Sequence, residues 1–227
     1  MTKLIGIFFL FFAAKCLVGQ ETLKVDYSQI KQSIQNENSG FYYPTLLERF
    51  NAFDSTLTSE DYMYIYYGFA YQDTYLKKRP DETILSKLSE SEDFKKLIVE
   101  CEKVLEINPV SLDANDFMGY ALFKTDRPEA EWLKYQNRYR AIRKVIATSG
   151  DGLSCETALK VIYVSDEYNM LHTYFDVEKI HSQQLAGLCD HFKVEPSQYL
   201  KSTEIYFDVS VSLLRTQELM DKKETLK

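Results

Sequence analysis

Asp166 and Glu167 stand side by side in "SGDGLSCETALKVIYVSDEY", Ser149 to Tyr168, and Asp208 follows in "YFDVS". Two carboxyl groups in different surroundings split their pKa values, so that one can donate a proton while the other accepts one. Asp166, Glu167 and Asp208 are therefore the catalytic candidates, for hydrolysis at a non-standard carboxylate site. The plainer reading is a solvated hairpin tip, where polar residues are required and neighbours point apart.

Other residue types in the chain suggest chemistry that their spacing does not support. Gly150 and Gly152 bracket Asp151, but the loop leads into a β-branched run instead of a helix. Its charged members, Asp151 and Glu156, would repel phosphate. Asp151, Ser154 and Glu156 form only part of a calcium set, at the wrong spacing. His172, His181 and His191 join Cys189 as zinc-ligand types, with Cys189 and His191 on one strand face. Structural zinc needs four ligands in tight pairs, and no second pair is present. No metal and no cofactor is assigned. There is no Gly-x-Ser-x-Gly elbow, His-Glu-x-x-His helix or Cys-x-x-Cys pair. Asp190 falls on the face of Leu188, Phe192 and Val194, where a carboxylate must be paired; a break in strand register is the plainer explanation.

Tyrosine is the other resource, used 17 times. In "TSEDYMYIYYGFAYQ" Tyr62, Ile65, Tyr66 and Phe69 form one helical stripe, and Tyr64, Tyr67 and Tyr71 a second. The second stripe is the ligand-binding candidate: a groove lined by Tyr64, Tyr67 and Tyr71 could stack a sugar or clasp an extended peptide. Packing of a helix that is apolar on two sides is the plainer alternative.

Helices must position these residues in the first part of the chain. Asp26, Thr58 with Asp61, Ser111 and Asp126 read as helix caps, Pro109 as a stop and Gly150 as the last terminator. Phe94, Leu97, Ile98, Cys101 and Leu105 mark one inward stripe. Ala114, Phe117, Met118, Ala121 and Leu122 mark the next, and Trp132, Tyr135, Tyr139, Ile142 and Ile146 a third. Two helix pairs, 59–106 and 111–147, look tetratricopeptide-like, with Gly119 at a close crossing and "TYLKKRPDETILSKLSESE" as an insertion in the first pair. From 151 the period becomes two. "LKVIYVS", "MLHTYF", "LCDHFKV" and "EIYFDVSVSLL" read as strands and "DEYN" as a turn. The expected class is α+β: N-terminal helical hairpins over 21–150 packed with a small C-terminal antiparallel β-sheet over 151–215, then a flexible tail at 216–227.

Residues 1–20 read as a secretory signal peptide. Lys3 precedes the apolar run "LIGIFFLFFAA", and small residues near Gly19 and Gln20 offer a cut. The mature chain then carries no membrane span and 25 basic against 34 acidic side chains, a charge of −9 after loss of Lys3 and Lys15. Such a charge repels nucleic acid. An exported chain permits disulfides. Of Cys101, Cys155 and Cys189, the first falls on an apolar stripe, which leaves Cys155 with Cys189 as the pair to test; spacing alone does not fix the connectivity.

"YYGF" at 66–69, "INP" at 107–109, "GDGLSCETALKVIYVSDEY" at 150–168, "CDHFKV" at 189–194 and "YFDVS" at 206–210 occur in one order. Together they resemble an uncharacterised family of exported bacterial proteins, family 4919 of the domains of unknown function, over nearly the whole mature chain. The resemblance implies a periplasmic or extracellular location and transfers no catalytic residue. The functional expectation is a non-enzymatic module of the bacterial envelope that binds protein, peptide or glycan. A carboxylate hydrolase is the alternative.

Overall fold

The computed structural model describes residues 23–76 and 81–225; the expected leader at 1–20 lies outside them. Local chemistry starts the helices where the sequence suggests. The Asp26 carboxylate accepts from the amides of Ser28 and Gln29 and opens α1 (Tyr27–Gln35). Pro44 sits in the first turn of α2 (Tyr43–Asn51). Thr58 and Asp61 form a reciprocal capping box on α3 (Ser59–Phe69). A 3-10 turn follows at Asp73–Leu76. Then come α4 (Thr83–Glu90), α5 (Phe94–Ile107), α6 (Leu112–Lys124) and α7 (Glu129–Ala147). Ser111 caps α6. Asp126 does not cap α7: it adopts a left-handed conformation, φ 54°, and Pro128 occupies the cap position instead.

Two apolar clusters result. The larger joins α1, α2, α3 and the second half of α7 to the β region, with Phe50, Tyr66, Tyr67, Phe192 and Phe207 fully buried. The smaller gathers Leu85 and Leu88 of α4, Leu97, Cys101 and Val104 of α5, and Ala114, Met118 and Ala121 of α6. The segment read as an insertion therefore supplies a packed helix, α4. Helices α5, α6 and α7 pack each on the next, while α3 lies on α7, α1 and α2.

The chain is α+β, and its sheet is mixed. Strands β1 (Leu159–Lys160), β2 (Ile180–Ala186), β3 (Cys189–Val194) and β4 (Glu204–Asp208) lie in the order β1-β4-β3-β2. The pairs β2–β3 and β3–β4 are antiparallel, while β1 runs parallel to β4.

Several expected strands end early, for identifiable reasons. "LKVIYVS" forms a strand only at Leu159–Lys160, with one further bond to β4 from the Val161 amide to Asp208 O, and tyrosine hydroxyls take up backbone groups of Lys160 and Ile162. Tyr67 donates to Lys160 O at 3.1 Å and Tyr75 to Ile162 O at 2.5 Å, while the Ile162 amide donates to the Tyr66 hydroxyl at 3.2 Å. "DEYN" is not a turn but part of α8 (Val164–Asn169), and "MLHTYF" is not a strand but continues it as a π-helical turn, Met170–Tyr174. In "EIYFDVSVSLL" the strand stops at Asp208, whose carboxylate accepts from the Ser210 amide at 2.9 Å. That bond starts α9 (Ser210–Thr225), which takes in most of the expected tail. The alternation expected to point Ile205, Phe207, Val209, Val211 and Leu213 inward holds through Val211 and fails at Leu213, which is 37% exposed on α9. The register of β3 does not break at Asp190, which pairs with Phe207; the irregularity lies between Ile180 and Ser182 in β2.

The turn from α7 into β1 is tight. A Cβ at Gly150 would lie 2.2 Å from the Thr157 carbonyl oxygen and 2.6 Å from that of Ala158. A Cβ at Gly119 would lie 2.7 Å from Gln136 Nε2, the end of a side chain that can swing aside. Gly150→Ala is therefore expected to cost about 2–3 kcal/mol and to lower Tm by roughly 5–10 °C. Gly119→Ala costs about 1 kcal/mol or less, since only one side chain must move. Thermal unfolding of both variants checks the order, and a smaller loss for Gly150→Ala would contradict it.

Candidate functional site

Helix α8 carries two of the three candidate acids inward. Asp166 is buried and accepts from the Tyr66 hydroxyl at 2.6 Å. Burial, then the negative charge of Asp166, raises the Tyr66 phenol well above its usual range. Glu167 is fully buried and faces Asp190 of β3. Gln183 of β2 bridges the two, with its amide nitrogen 2.9 Å from Asp190 Oδ2 and 3.5 Å from Glu167 Oε2. The Tyr168 hydroxyl donates to Gln183 Oε1 at 2.5 Å and fixes that bridge. Burial pushes the Glu167 carboxyl up to about 9, helped by the charge of Asp190, a hydrogen bond with it and the charge of Asp166. Glu167 therefore keeps its proton at neutral pH, because a second buried negative charge beside Asp190 is costly.

Asp208 belongs to a different arrangement. It forms a 2.8 Å ion pair with Lys160, its β1 partner. Burial alone would raise its carboxyl, but the hydrogen bonds from Lys160 and Ser210 outweigh that and hold it low. The acids thus divide into one set on α8 and one at the end of β4, each already engaged.

The tyrosine stripe is likewise committed to packing. Tyr64 is buried and stacks on Phe41 at 3.9 Å between ring centres. Tyr67 is fully buried. Only Tyr71 is half-exposed, its ring 5.6 Å from Lys31 Nζ. These three side chains do not line a common groove.

Cys155 and Cys189 form a disulfide that ties the loop before β1 to the start of β3, with a Cα separation of 5.7 Å. The histidines lie apart: His172 Nδ1 meets Val177 O at 2.9 Å, His191 stacks on Tyr206, and His181 is exposed. Among the described residues no group of three or more His, Cys, Asp or Glu side chains is arranged to hold a metal ion. The Asp151 carboxylate serves its own turn, accepting from Thr157 Oγ1 at 2.5 Å and the Leu153 amide at 2.9 Å.

An open surface feature lies elsewhere. Helices α6 and α7 leave a groove of about 450 Å³, with Phe117, Tyr120, Phe123 and Trp132 on its apolar side and Asp116, Gln136 and Arg140 on its polar side. Tyr120 is 40% and Phe123 55% exposed, far more than packing aromatics need be. The Phe123 and Trp132 rings meet edge to face at 5.6 Å. Gln136 donates to both the backbone and the carboxylate oxygen of Asp116 at 3.0 Å, in the space that Gly119 leaves. Burial raises the Asp116 carboxyl, against the Gln136 hydrogen bond and the charges of Arg143 and Arg140. Arg140 is exposed and, among the described residues, makes no hydrogen bond or ion pair.

Sequence reasoning placed Phe117 and Trp132 on inward stripes and passed over Tyr120 and Phe123. The available signal was that Tyr120 and Phe123 fall off the inward stripe of α6, on a side where polar residues are expected.

The fold is thus an α+β unit with a buried acid pair and one aromatic groove on its helical side. The sequence profile of a domain of unknown function, DUF4919, matches residues 28–218, and the chain belongs to that family. No curated protein and no solved structure matches it. Among the described residues no helix is long and apolar enough to cross a membrane.

The acid pair has a consequence for stability. The folded-state pKa of Glu167 is raised above its unfolded value of about 4.5, so the folded chain binds the extra proton between pH 4.5 and 9. Stability is then highest at or below pH 4.5 as far as this group is concerned. It falls as pH rises towards 9, by about 1.4 kcal/mol per unit at most. Glu167→Gln keeps a neutral donor beside Asp190 and is expected to flatten that slope. Urea unfolding from pH 5 to 9 measures it, and an unchanged slope in the variant would exclude a protonated Glu167.

Proposed function

We propose that this protein is an exported, non-enzymatic binding module of the bacterial envelope, and that the groove between α6 and α7 is its binding surface. One observation carries the reading: aromatic side chains stand exposed along this groove, while the tyrosines and carboxyls of the α3–α8 region are engaged with one another. Exposed aromatic and Arg side chains are what recognition surfaces concentrate. A groove of about 450 Å³ is in the range that holds a small ligand. The leader-like residues 1–20 support export to the periplasm or beyond. The partner classes are protein, peptide and glycan.

The alternative is a hydrolase centred on Asp166, Glu167 and Asp208. The protonated Glu167 is the observation in its favour, since it is the state a general acid needs. Against it, Glu167 has no exposed surface to offer a substrate, and Asp208 is held by Lys160.

Immobilised protein exposed to the protein, peptide and polysaccharide fractions of an envelope extract tests the binding reading. Saturable retention of one fraction is expected, weakened about tenfold or more by Phe123→Ala with Trp132→Ala, since each removes a buried aromatic contact. Retention no greater than on a blank resin, or equal retention by the variant with an unchanged circular dichroism spectrum, would refute it.

A further inference from the structure

We infer that the α6–α7 groove takes a short glycan that carries a carboxylate. The inference rests on the binding reading above and narrows it. A pyranose has one face of C–H groups and a rim of hydroxyls. Its C–H hydrogens bear partial positive charge, and an aromatic face is negative, so the two attract as well as exclude water. Phe117, Tyr120, Phe123 and Trp132 supply such rings along one side of the groove. Asp116, Gln136 and Arg140 supply a carboxylate, an amide and a guanidinium on the other. All three polar groups are planar; Gln136 Nε2 is spent on Asp116, which leaves the Gln136 carbonyl oxygen, the second Asp116 oxygen and the Arg140 guanidinium to meet hydroxyls.

The groove is poorly equipped for an extended peptide. Strand addition needs free backbone donors and acceptors. The walls are helices, α6 and α7, whose interior backbone groups are bonded within each helix. A peptide's own amides would have to depend on three side chains, whereas a sugar brings hydroxyls that suit those side chains.

Charge selects the kind of glycan. The chain carries −7 overall, yet Arg140 stands at the polar end of the groove with no ion partner among the described residues. Lys144, one turn further along α7, is also exposed. The nearby acid, Asp116, is turned to Gln136, whose Nε2 donates to its carboxylate and to its backbone oxygen at 3.0 Å. A guanidinium prefers a planar carboxylate, which it can bind through two parallel hydrogen bonds. A uronic acid presents that group directly on the sugar ring. The polar end therefore favours a uronate over a neutral hexose.

Trp132 is the single tryptophan of the chain, so its emission reports on the groove. Purified protein is titrated with a galacturonic acid trimer and a galactose trimer, and separately with an arrayed library of random peptides. Isothermal calorimetry runs in parallel to detect binding that leaves the emission unchanged. The acidic trimer is expected to saturate at submillimolar concentration and to bind about tenfold or more tightly than the neutral one, the effect of one charge-assisted contact. Arg140→Gln, at an exposed position, is expected to weaken the acidic trimer more than the neutral one and so abolish that preference; Phe123→Ala is expected to weaken both without changing their ratio. Equal binding of the two trimers, unaltered by Arg140→Gln, overturns the inference, as does no binding of either at millimolar concentration. Peptides that bind and compete at Trp132 while both sugars fail would remove the glycan and keep the binding surface. Silence from every probe, together with no retention of envelope material, would remove both.

Discussion

Where β1 ends after Lys160, the Val161 amide still reaches Asp208 O of β4 at 3.2 Å, but the chain then runs on through the core without a strand partner. Three phenol groups meet its backbone. Tyr66, Tyr67 and Tyr75 reach from the helical side and bond the backbone of residues 160 to 162. A buried, unpaired amide or carbonyl costs roughly as much as several good contacts return. The junction of helices and sheet therefore depends on tyrosine in particular: phenylalanine would fill the same space and leave the backbone unbonded. Tyr66 extends the arrangement one step further by donating to Asp166, which fixes α8 against α3.

This constraint also separates the two kinds of aromatic residue in the molecule. Tyr66 and Tyr67 of α3 and Tyr75 of the 3-10 turn are structural, with hydroxyls aimed at particular backbone atoms. Those of α6 and α7 at the groove touch other rings and solvent. Asn169 joins the two regions through a 2.7 Å bond to Asp113 of α6, while Thr173 bonds Tyr139 of α7 at 2.8 Å. Helices α6 and α7 are thus tied to α8, which carries Asp166 and Glu167, and to the π-helical turn that follows it.

Much of the helical part was legible from residue order. Asp26, Thr58 with Asp61 and Ser111 cap the helices they precede, because capping is local chemistry between residues three or fewer apart. The β part was harder to read. Val161, Ile162 and Tyr163 look like a continuing strand, and only long-range tyrosine contacts end the ladder. β2 was not recognised at all, because "IHSQQLA" is an edge strand with mostly exposed residues and no apolar alternation. Asp166 and Glu167 attracted notice by adjacency, and Asp190 as an acid on an apolar face. That Glu167 and Asp190 share one environment follows from register between α8 and β3, which adjacency in sequence does not encode. The groove is hidden in the sequence because Phe117 and Trp132 fall on inward stripes while Tyr120 and Phe123 fall outside them.

Burial of Cys101 bears on how the chain acquires its covalent link. Among Cys101, Cys155 and Cys189 three pairings are possible, and two of them would trap a wrong structure. Cys101 lies fully inside the α4–α5–α6 cluster, and burial pushes its thiol up to about 12. Exchange proceeds through a thiolate with room to attack, and Cys101 in the folded cluster has neither. The helices of this cluster are consecutive and contact one another locally, whereas β1 must find β4 across 48 residues. Local contacts form sooner than distant ones. Early assembly of the helical cluster would therefore withdraw the third thiol from exchange, leaving Cys155 and Cys189 to oxidise without competition as the sheet closes.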